Sequence, residues 1–254
     1  MHKEHVHIAA QGFEHDRIVE PAKDDRAHRV VLLEHADGVR PEWFKEVKQD
    51  LRDADIKVEP ESCNIFDMYS VVERISRVVK RNPDAEILVN LSTGSKLSAI
   101  GGMIACMAND ITPYYAQPRG YGEREEEEIQ PVSYGYEKSW ELSAYPMETP
   151  KEQDIWVMEY LSQNTSVSKT ALIEFGRGDR DMGAGYGPKG RLPFMNEQYK
   201  DTPQGNHNRL NNRIIDPLTE NGWIETEKRG TNVFIELTEE GQNTLRAFRH
   251  LVEA

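Results

Sequence analysis

A strand, a tight polar turn and a helix of small residues follow one another between residues 87 and 109. The apolar run Ile87–Val89 predicts a short strand, and Leu97–Ala108 predicts a helix. Between them lies Asn90–Lys96, with the sequence NLSTGSK. The free N–H groups and the positive dipole end of a helix that starts here favour an anionic ligand. This order of elements is typical of one βα unit in a parallel sheet.

The residues of this turn suit a phosphate or nucleotide. Gly94 allows a close backbone approach or a positive φ, the serines and the threonine supply hydroxyl groups, and Lys96 supplies a full charge. An ordinary helix cap is the alternative interpretation. The candidate ligand-binding residues of the turn are Asn90, Ser92, Thr93, Gly94, Ser95 and Lys96.

Strands and helices alternate through the first 120 residues. Further strands are predicted at His5–Ala10, Arg29–Leu33, Ile56–Val58 and Thr112–Ala116, and further helices start near Asp16, at Pro41 and after Asn64. Asn64 is expected to cap the last of these, with Asp67 in its first turn and an apolar stripe of Ile65, Met68, Val72, Ile75 and Val79. The alternation predicts an α/β fold with a parallel sheet and helices on both faces. Because such sheets bind ligands at the carboxyl ends of their strands, the loop Gln11–Arg17 joins the turn Asn90–Lys96 as a candidate.

Residues 118–145 have a different character. Val132–Tyr136 and Trp140–Tyr145 are expected to pair as an antiparallel extension of the sheet, and the acidic run Glu125–Glu128 is expected to be a solvated loop. The segment Pro146–Pro150 predicts a linker. We therefore place an N-terminal domain at residues 1–146 and a C-terminal domain at residues 151–254.

The C-terminal domain has the element order of a winged helix-turn-helix. Helices are predicted over Lys151–Gln163, from a cap at Ser166 or Ser168 to Phe175, and over Asn206–Asp216, after which Pro217 must kink or restart the helix with Asp216 as a new cap. A hairpin of Trp223–Glu227 and Val233–Leu237 and a last helix from Thr238 to about Val252 follow. Residues 176–205, with seven glycines and three prolines, show no period and are either functional or mobile.

The third helix of this domain has two distinct faces. Leu210, Ile214, Ile215 and Leu218 are predicted to pack inward, whereas Asn208, Arg209, Asn211, Asn212 and Arg213 face outward. Asn and Arg read adenine and guanine edges in the major groove, and Lys228 and Arg229 beside Gly230 suit a wing that touches phosphate. The alternative is a protein-docking helix beside a solvated turn. The candidate DNA-binding residues are Asn208, Arg209, Asn212, Arg213, Lys228 and Arg229.

Composition restricts the function further. The net charge is −13, with 28 acidic and 18 basic side chains in residues 1–150 against 16 and 13 in residues 151–254. Such acidity argues against nonspecific nucleic-acid binding and favours a salt-adapted, halophilic source. No apolar run approaches the length of a membrane span and no signal peptide is evident, so a cytoplasmic location is expected. Cys63 and Cys106 are expected to be buried free thiols.

Several enzyme classes lack their motifs. The glycine before the lysine of a P-loop is absent, because Ser95 precedes Lys96, and only Gly12 follows the first strand where a dinucleotide fingerprint needs three glycines. His5 and His7 share a strand face without a third metal ligand, and no Ser/His/Asp or Cys/His arrangement is evident. The sequence predicts no catalytic residue, no metal and no cofactor.

Two segments resemble a known family. Asn90–Lys96 resembles the N-[LI]-[ST]-[GT]-G-[ST]-K signature of CRISPR-associated Rossmann-fold (CARF) domains, and His7–Arg17 resembles the first ligand loop of CARF-type transcriptional regulators. With its C-terminal winged helix, nearly the whole chain is similar to a haloarchaeal CARF–winged-helix regulator. The long segment 176–205 departs from a minimal winged helix.

This resemblance implies a ligand and a partner. CARF domains are typically homodimers that bind a cyclic oligoadenylate across the two-fold axis, and Gly12, Phe13 and Arg17 would line that pocket together with Ser92–Lys96. The resemblance thus implies a ligand-responsive regulator that binds double-stranded DNA and a cyclic oligonucleotide, with no membrane partner. The alternatives are a ring nuclease that cleaves cyclic oligoadenylate, and a protein-docking module without DNA binding.

Overall fold

The computed structural model describes residues 3–35, 42–122, 133–180, 182, 187–196 and 202–253. The acidic run Glu125–Glu128 lies outside these residues. The chain divides into two compact units, Met1–Glu148 and Thr149–Ala254. None of the helices in the described part of the chain combines the length and apolar character that a membrane crossing requires.

The first unit is an α/β fold around a six-stranded sheet. Its strands are β1 (His5–Ala10), β2 (Arg29–His35), β3 (Lys57–Cys63), β4 (Glu86–Asn90), β5 (Thr112–Gln117), β6 (Gly120–Tyr121), β7 (Ser133–Tyr134) and β8 (Lys138–Glu141). Its helices are α1 (Asp16–Asp24), α2 (Glu42–Asp53), α3 (Met68–Arg81) and α4 (Lys96–Asn109).

The strand order is β3-β2-β1-β4-β5-β8. Strands β1 to β5 are parallel, and β8 pairs antiparallel with β5. The chain turns back across β1 to form β4, so the carboxyl ends of β1 and β4 lie side by side at a topological switch point, with Ala9 opposite Asn90. This confirms the predicted Rossmann-like parallel sheet.

Apolar side chains cover both faces of the sheet. Ile18, Leu32 and Phe44 belong to the cluster beneath α1 and α2, and Ile8, Val71 and Val89 belong to the cluster beneath α3 and α4. Strands buried on both faces read as continuous apolar runs, which explains why β1 and β2 were predictable. Cys63 and Cys106 are buried free thiols, as expected, and burial raises the pKa of Cys106 to about 12.

Two expectations for this unit were wrong. Asp67, not Asn64, caps α3, because its carboxylate accepts the N–H groups of Tyr69 (3.0 Å) and Ser70 (3.4 Å). The expected antiparallel extension of the sheet is present, but the two late strands do not pair with each other. Instead β7 pairs with β6, and β8 pairs with β5, which offers a free sheet edge.

Two glycines bring α4 close to its neighbours. A Cβ on Gly101 would lie 2.7 Å from the carbonyl oxygen of Met68, and one on Gly102 would lie 2.7 Å from Leu91 Cδ2. Near the other end of the helix, the carbonyl of Met107 accepts the N–H of Met147 at 3.2 Å. The glycine pair therefore fixes α4 against α3 and β4.

The second unit has the predicted winged-helix order. Its elements are α5 (Glu152–Gln163), β9 (Val167–Ser168), α6 (Lys169–Arg177), α7 (Pro203–Leu210), a π-helical turn (Asn211–Ile215), α8 (Asp216–Glu220), β10 (Ile224–Arg229), β11 (Asn232–Leu237) and α9 (Glu239–Phe248), with 3₁₀ turns at Pro193–Met195 and Arg249–Leu251. Ser168, rather than Ser166, caps α6 through the N–H of Ala171 at 3.2 Å.

Part of the segment 176–205 packs into the core, against the expectation of a region without structure. Leu192, Phe194 and Met195 are buried in the cluster that includes Phe175. A Cβ on Gly176 would lie 2.4 Å from the Phe194 ring, so this glycine makes room for the ring. The described portion of the segment therefore stabilises the unit.

Buried His7 makes the stability of the first unit depend on pH. Its Nδ1 lies 3.1 Å from the Tyr114 hydroxyl, and its Nε2 lies 3.4 Å from an Asp25 carboxylate oxygen. Burial, and secondarily the charge of His5, lower the pKa of His7 to about 4 from 6.5, so burial outweighs the attraction to Asp25. The unfolded chain therefore takes up the proton first as the pH falls.

We expect the His7 contribution to the free energy of unfolding to be present above about pH 6.5 and to fall by about 3 kcal/mol towards pH 4. Urea titrations across this range should give a His7→Gln variant a flatter profile. Asp25, whose pKa is raised by burial, is present in both proteins. The difference between the two pH profiles therefore reports the contribution of His7. Parallel profiles for the two proteins would refute the assignment.

Candidate functional site

Two glycines meet where β1 and β4 end. A Cβ on Gly12 would lie 2.4 Å from the backbone nitrogen of Gly94. Gly94 has a φ of 81°, and a Cβ there would lie 2.5 Å from Ser98 Oγ and 2.7 Å from Ala10 Cβ. The close approach and the positive φ predicted for Gly94 are both present. The two loops expected to form a site therefore touch through their backbones.

The hydroxyl groups of the turn bond to the protein itself. Thr93 Oγ1 donates to the carbonyl of Ala10 at 2.9 Å, and Ser92 Oγ accepts the N–H of Ala116 at 2.5 Å. Ser95 Oγ accepts the N–H of Ser98 at 2.9 Å and donates to the carbonyl of Ile65 at 2.5 Å. These bonds tie the turn to β1, β5 and the loop before α3.

The donors left for a ligand are backbone N–H groups and one ammonium. Within the described part of the chain, the N–H groups of Gly94, Ser95 and Lys96 have no hydrogen-bond acceptor, and the ammonium of exposed Lys96 has no partner. They stand at the first turn of α4, whose dipole also favours negative charge. The arrangement can hold a phosphate group.

Arg17 and Asn90 are brought to this edge but bond inward. Arg17 is only 6% exposed, and its Nε donates to the carbonyl of Ala116 at 2.8 Å. Asn90 Nδ2 donates to the carbonyl of Arg17 at 2.7 Å, and Asn90 Oδ1 accepts the N–H of Ser92 at 2.8 Å. These two side chains therefore hold α1, β4 and β5 together at the switch point, while Phe13 is exposed.

The hairpin of β6 and β7, whose pairing the sequence did not predict, borders the same loop. Ser133 Oγ donates to a carboxylate oxygen of Glu14, and the N–H of Gly135 donates to Asp16 Oδ2 at 2.7 Å. Although partial burial opposes ionisation, the hydrogen bonds from His15 and Gly135 hold the pKa of Asp16 below its usual value. These partners lie 119 residues apart in the chain, so no local pattern could have paired them.

The second candidate site is the exposed face of α7 and the π-helical turn. Leu210, Ile214, Ile215 and Leu218 are buried, which confirms the predicted inward face. Asn208, Asn212 and Arg213 are exposed. Arg209 is half-buried beside buried Asn206, whose side-chain oxygen accepts its Nη2, and Asn211 accepts the ammonium of Lys169 at 2.8 Å.

Of the two outcomes expected at Pro217, a kink or a restart of the helix, the restart does not occur, because the helical run continues through this residue. Proline lacks an N–H, and its ring crowds the carbonyl four residues before it. The π-helical turn Asn211–Ile215 precedes it, and its wider spacing accommodates the ring. Asp216 consequently lies within a continuous helical run and caps nothing.

The wing is tighter than predicted. Its strands meet at Arg229 and Asn232, which leaves a two-residue turn of Gly230 and Thr231. Lys228 is exposed on β10. Arg229 bonds to Glu227, to Ser166 Oγ at 2.9 Å and to Glu236 at 3.2 Å, and this pairing lowers the pKa of Glu227. The charge of Arg229 is thus largely neutralised within the wing.

Comparison with known families agrees with this architecture. Residues 153–249 match the family model described as the DUF6293 C-terminal winged helix domain. The second unit is a winged helix. Residues 5–121 match the family model described as "HFX_2341_N:-like, N-terminal". The two matches fall within the two units.

Three individual relatives match about half of the chain. An uncharacterised protein of Methanocaldococcus jannaschii, MJ1513, is 30% identical in an alignment over 141 residues that covers 49% of this chain and 42% of that protein. Can2 from Sulfobacillus thermosulfidooxidans, in complex with cyclic tetra-adenylate, aligns at 13% identity and a TM-score of 0.40 over 44% of this chain and 32% of its own. Csm6 from Enterococcus italicus, bound to cyclic hexa-2'-fluoro-hexa-dAMP, aligns at 12% identity and 0.38 over 48% and 36%. The chain spans less than half the length of each of these relatives.

Proposed function

We propose that the protein is a ligand-responsive DNA-binding regulator whose first unit binds a cyclic oligoadenylate-type nucleotide. The observation that carries this proposal is the contact of Gly12 with Gly94, beside three N–H groups and the Lys96 ammonium, for which the described residues supply no partner. Backbone N–H groups at the start of a helix bind phosphate without selectivity for one ester. The resemblance of the two loops to CARF ligand loops supports the cyclic oligoadenylate class.

The ligand would be shared by two copies of the chain. Leu97 and Ile100 on α4 are 44% and 49% exposed, and half-buried Ile104 and Met107 continue this row at helical spacing. Because the row begins beside Lys96, a second copy packed on it would bring a second turn close to the first. Two turns then present two ammonium groups and two helix N-termini to a ring of phosphates.

The winged helix would bind double-stranded DNA through α7 and the π-helical turn. Asn212 and Arg213 are exposed residues of the types that read adenine and guanine bidentately. The wing would contribute through Lys228, because Arg229 is held by Glu227 and Glu236. Because each winged helix would make few phosphate contacts, we expect the protein to bind DNA effectively as a dimer on two half-sites.

Two titrations of the wild-type protein test this proposal. Calorimetry at high salt with cyclic tetra- and hexa-adenylate should give one ring per two chains, and fluorescence anisotropy should detect a duplex from the protein's own promoter. Thermodynamic linkage requires that the nucleotide and the DNA change each other's affinity by the same factor. Absence of nucleotide binding overturns the sensor, and formation of a linear product would reassign the site to a ring nuclease.

A double substitution on the exposed helix face tests DNA recognition. We expect Asn212→Ala with Arg213→Ala to weaken binding to the promoter duplex by at least about 30-fold, because each bidentate base contact is worth about 1–3 kcal/mol. The matched control is Arg246→Ala, on the helix α9 that packs against α5. Equal affinities of the double variant and the control would exclude this face as the DNA-reading surface.

A further inference from the structure

An exposed tyrosine stands on the hairpin beside the candidate nucleotide site. Tyr121 lies on β6, shortly after the carboxyl end of β5, and is 66% exposed. The partner strand β7 is anchored to the β1–α1 loop by Ser133 and Gly135. The hairpin is therefore fixed to one of the two loops that form the site.

The Tyr121 ring is exposed beside a second tyrosine. The neighbouring Tyr115 hydroxyl raises the pKa of Tyr121. The Tyr115 ring in turn lies 5.0 Å from the Arg17 guanidinium carbon and stacks on Trp140 at 5.8 Å, with 10° between the ring planes. A large aromatic ring that is mostly exposed and carried on an anchored strand offers a stacking surface at low entropic cost.

A short series of contacts connects this ring to the turn. Arg17, which lies over Tyr115, donates to the carbonyl of Ala116, and the N–H of Ala116 donates to Ser92. Tyr121, Tyr115, Arg17, Ala116 and Ser92 thus form one continuous edge. Phosphate donors occupy one end of the edge and an aromatic ring occupies the other, which is the combination that a nucleotide requires.

We propose that Tyr121 is a base-stacking residue of the nucleotide site and receives a purine ring of the ligand. This inference rests on the proposed function, because it assigns the base-binding part of the same site. Stacking on one aromatic face supplies about 1–3 kcal/mol per base.

The test compares two substitutions at one position by calorimetry with cyclic tetra-adenylate. We expect Tyr121→Ala to weaken binding about 5- to 100-fold, whereas Tyr121→Phe keeps the ring and remains within about threefold of the wild type. The control is Tyr145→Ala. Tyr145 is also exposed, at 74%. It lies away from the candidate site, because its neighbour Leu142 bonds to Pro113 at the amino end of β5, and its neighbour Met147 bonds to Met107 near the C-terminal end of α4.

Two further measurements separate stacking from folding and from charge. The thermal midpoint of Tyr121→Ala should equal that of Tyr121→Phe, and the salt dependence of binding should remain that of the wild type. The Tyr121→Ala substitution should weaken binding of cyclic tetra-uridylate less than binding of cyclic tetra-adenylate, because the uridylate ring has the same phosphates but smaller bases. Wild-type binding with an unchanged Tyr121→Ala affinity overturns the stacking role alone, whereas a wild type that binds neither ring overturns the proposed function as well.

Discussion

Replacement of Lys96 by alanine is expected to weaken binding of cyclic tetra-adenylate by about 100-fold or more. Lys96 is exposed, and no described residue pairs with its ammonium. A hydrogen bond to a charged group contributes about 1.5–3 kcal/mol, and each ring would lose two such bonds across a dimer. Calorimetry at several salt concentrations measures the loss and should also show a shallower salt dependence.

The control for this substitution is Lys23→Ala. Lys23 carries the same charge on α1 but is paired with Glu20 at 3.0 Å. Lys96→Arg should retain much of the affinity, because it preserves the charge. Wild-type affinity in Lys96→Ala would place the phosphate groups elsewhere and remove the turn from the site.

Replacement of Gly12 by alanine is expected to abolish nucleotide binding and to lower the free energy of unfolding by about 1–3 kcal/mol. The new methyl group would meet the Gly94 nitrogen at 2.4 Å and its Cα at 3.1 Å, and these are backbone atoms that no rotamer change can move aside. The turn Asn90–Lys96 must therefore shift away from β1. Chemical denaturation and calorimetry measure the two effects.

Gly122→Ala is the matched control for the stability effect. Its Cβ would have no described atom within 4 Å. The same glycine-to-alanine change there should leave the free energy of unfolding within about 0.5 kcal/mol of the wild type. If Gly12→Ala is as stable as this control and still binds nucleotide, the two loops do not need their close contact.

Local patterns predicted the parts of the fold that depend on local sequence. The bounds of β1 were predicted correctly because His5–Ala10 is a compact apolar run between polar segments. The proximity of the loops that contain Gly12 and Gly94 was predictable, because ligand-binding loops in parallel sheets lie at the carboxyl ends of the strands. The inward face of α7 was predictable because apolar residues recur at helical spacing.

The roles of polar side chains depended on distant partners and were less predictable. Thr93 and Ser95 have hydroxyls that a sequence assigns equally well to a ligand or to the backbone, and both bond to the backbone. Arg17 carries a charge suited to phosphate, yet its partner Ala116 lies 99 residues away. Arg229 is neutralised by Glu236 across the hairpin, which depends on strand register rather than on composition.

Helix α4 links the turn Asn90–Lys96 to the end of the first unit. Its first residue is Lys96, and about 16 Å along its axis the carbonyl of Met107 accepts the N–H of Met147, two residues before the second unit begins at Thr149. Gly101 and Gly102 hold the middle of the helix closely against α3 and β4. A ligand bound at the turn would therefore contact the same closely packed helix that, near its other end, holds the last residues of the first unit.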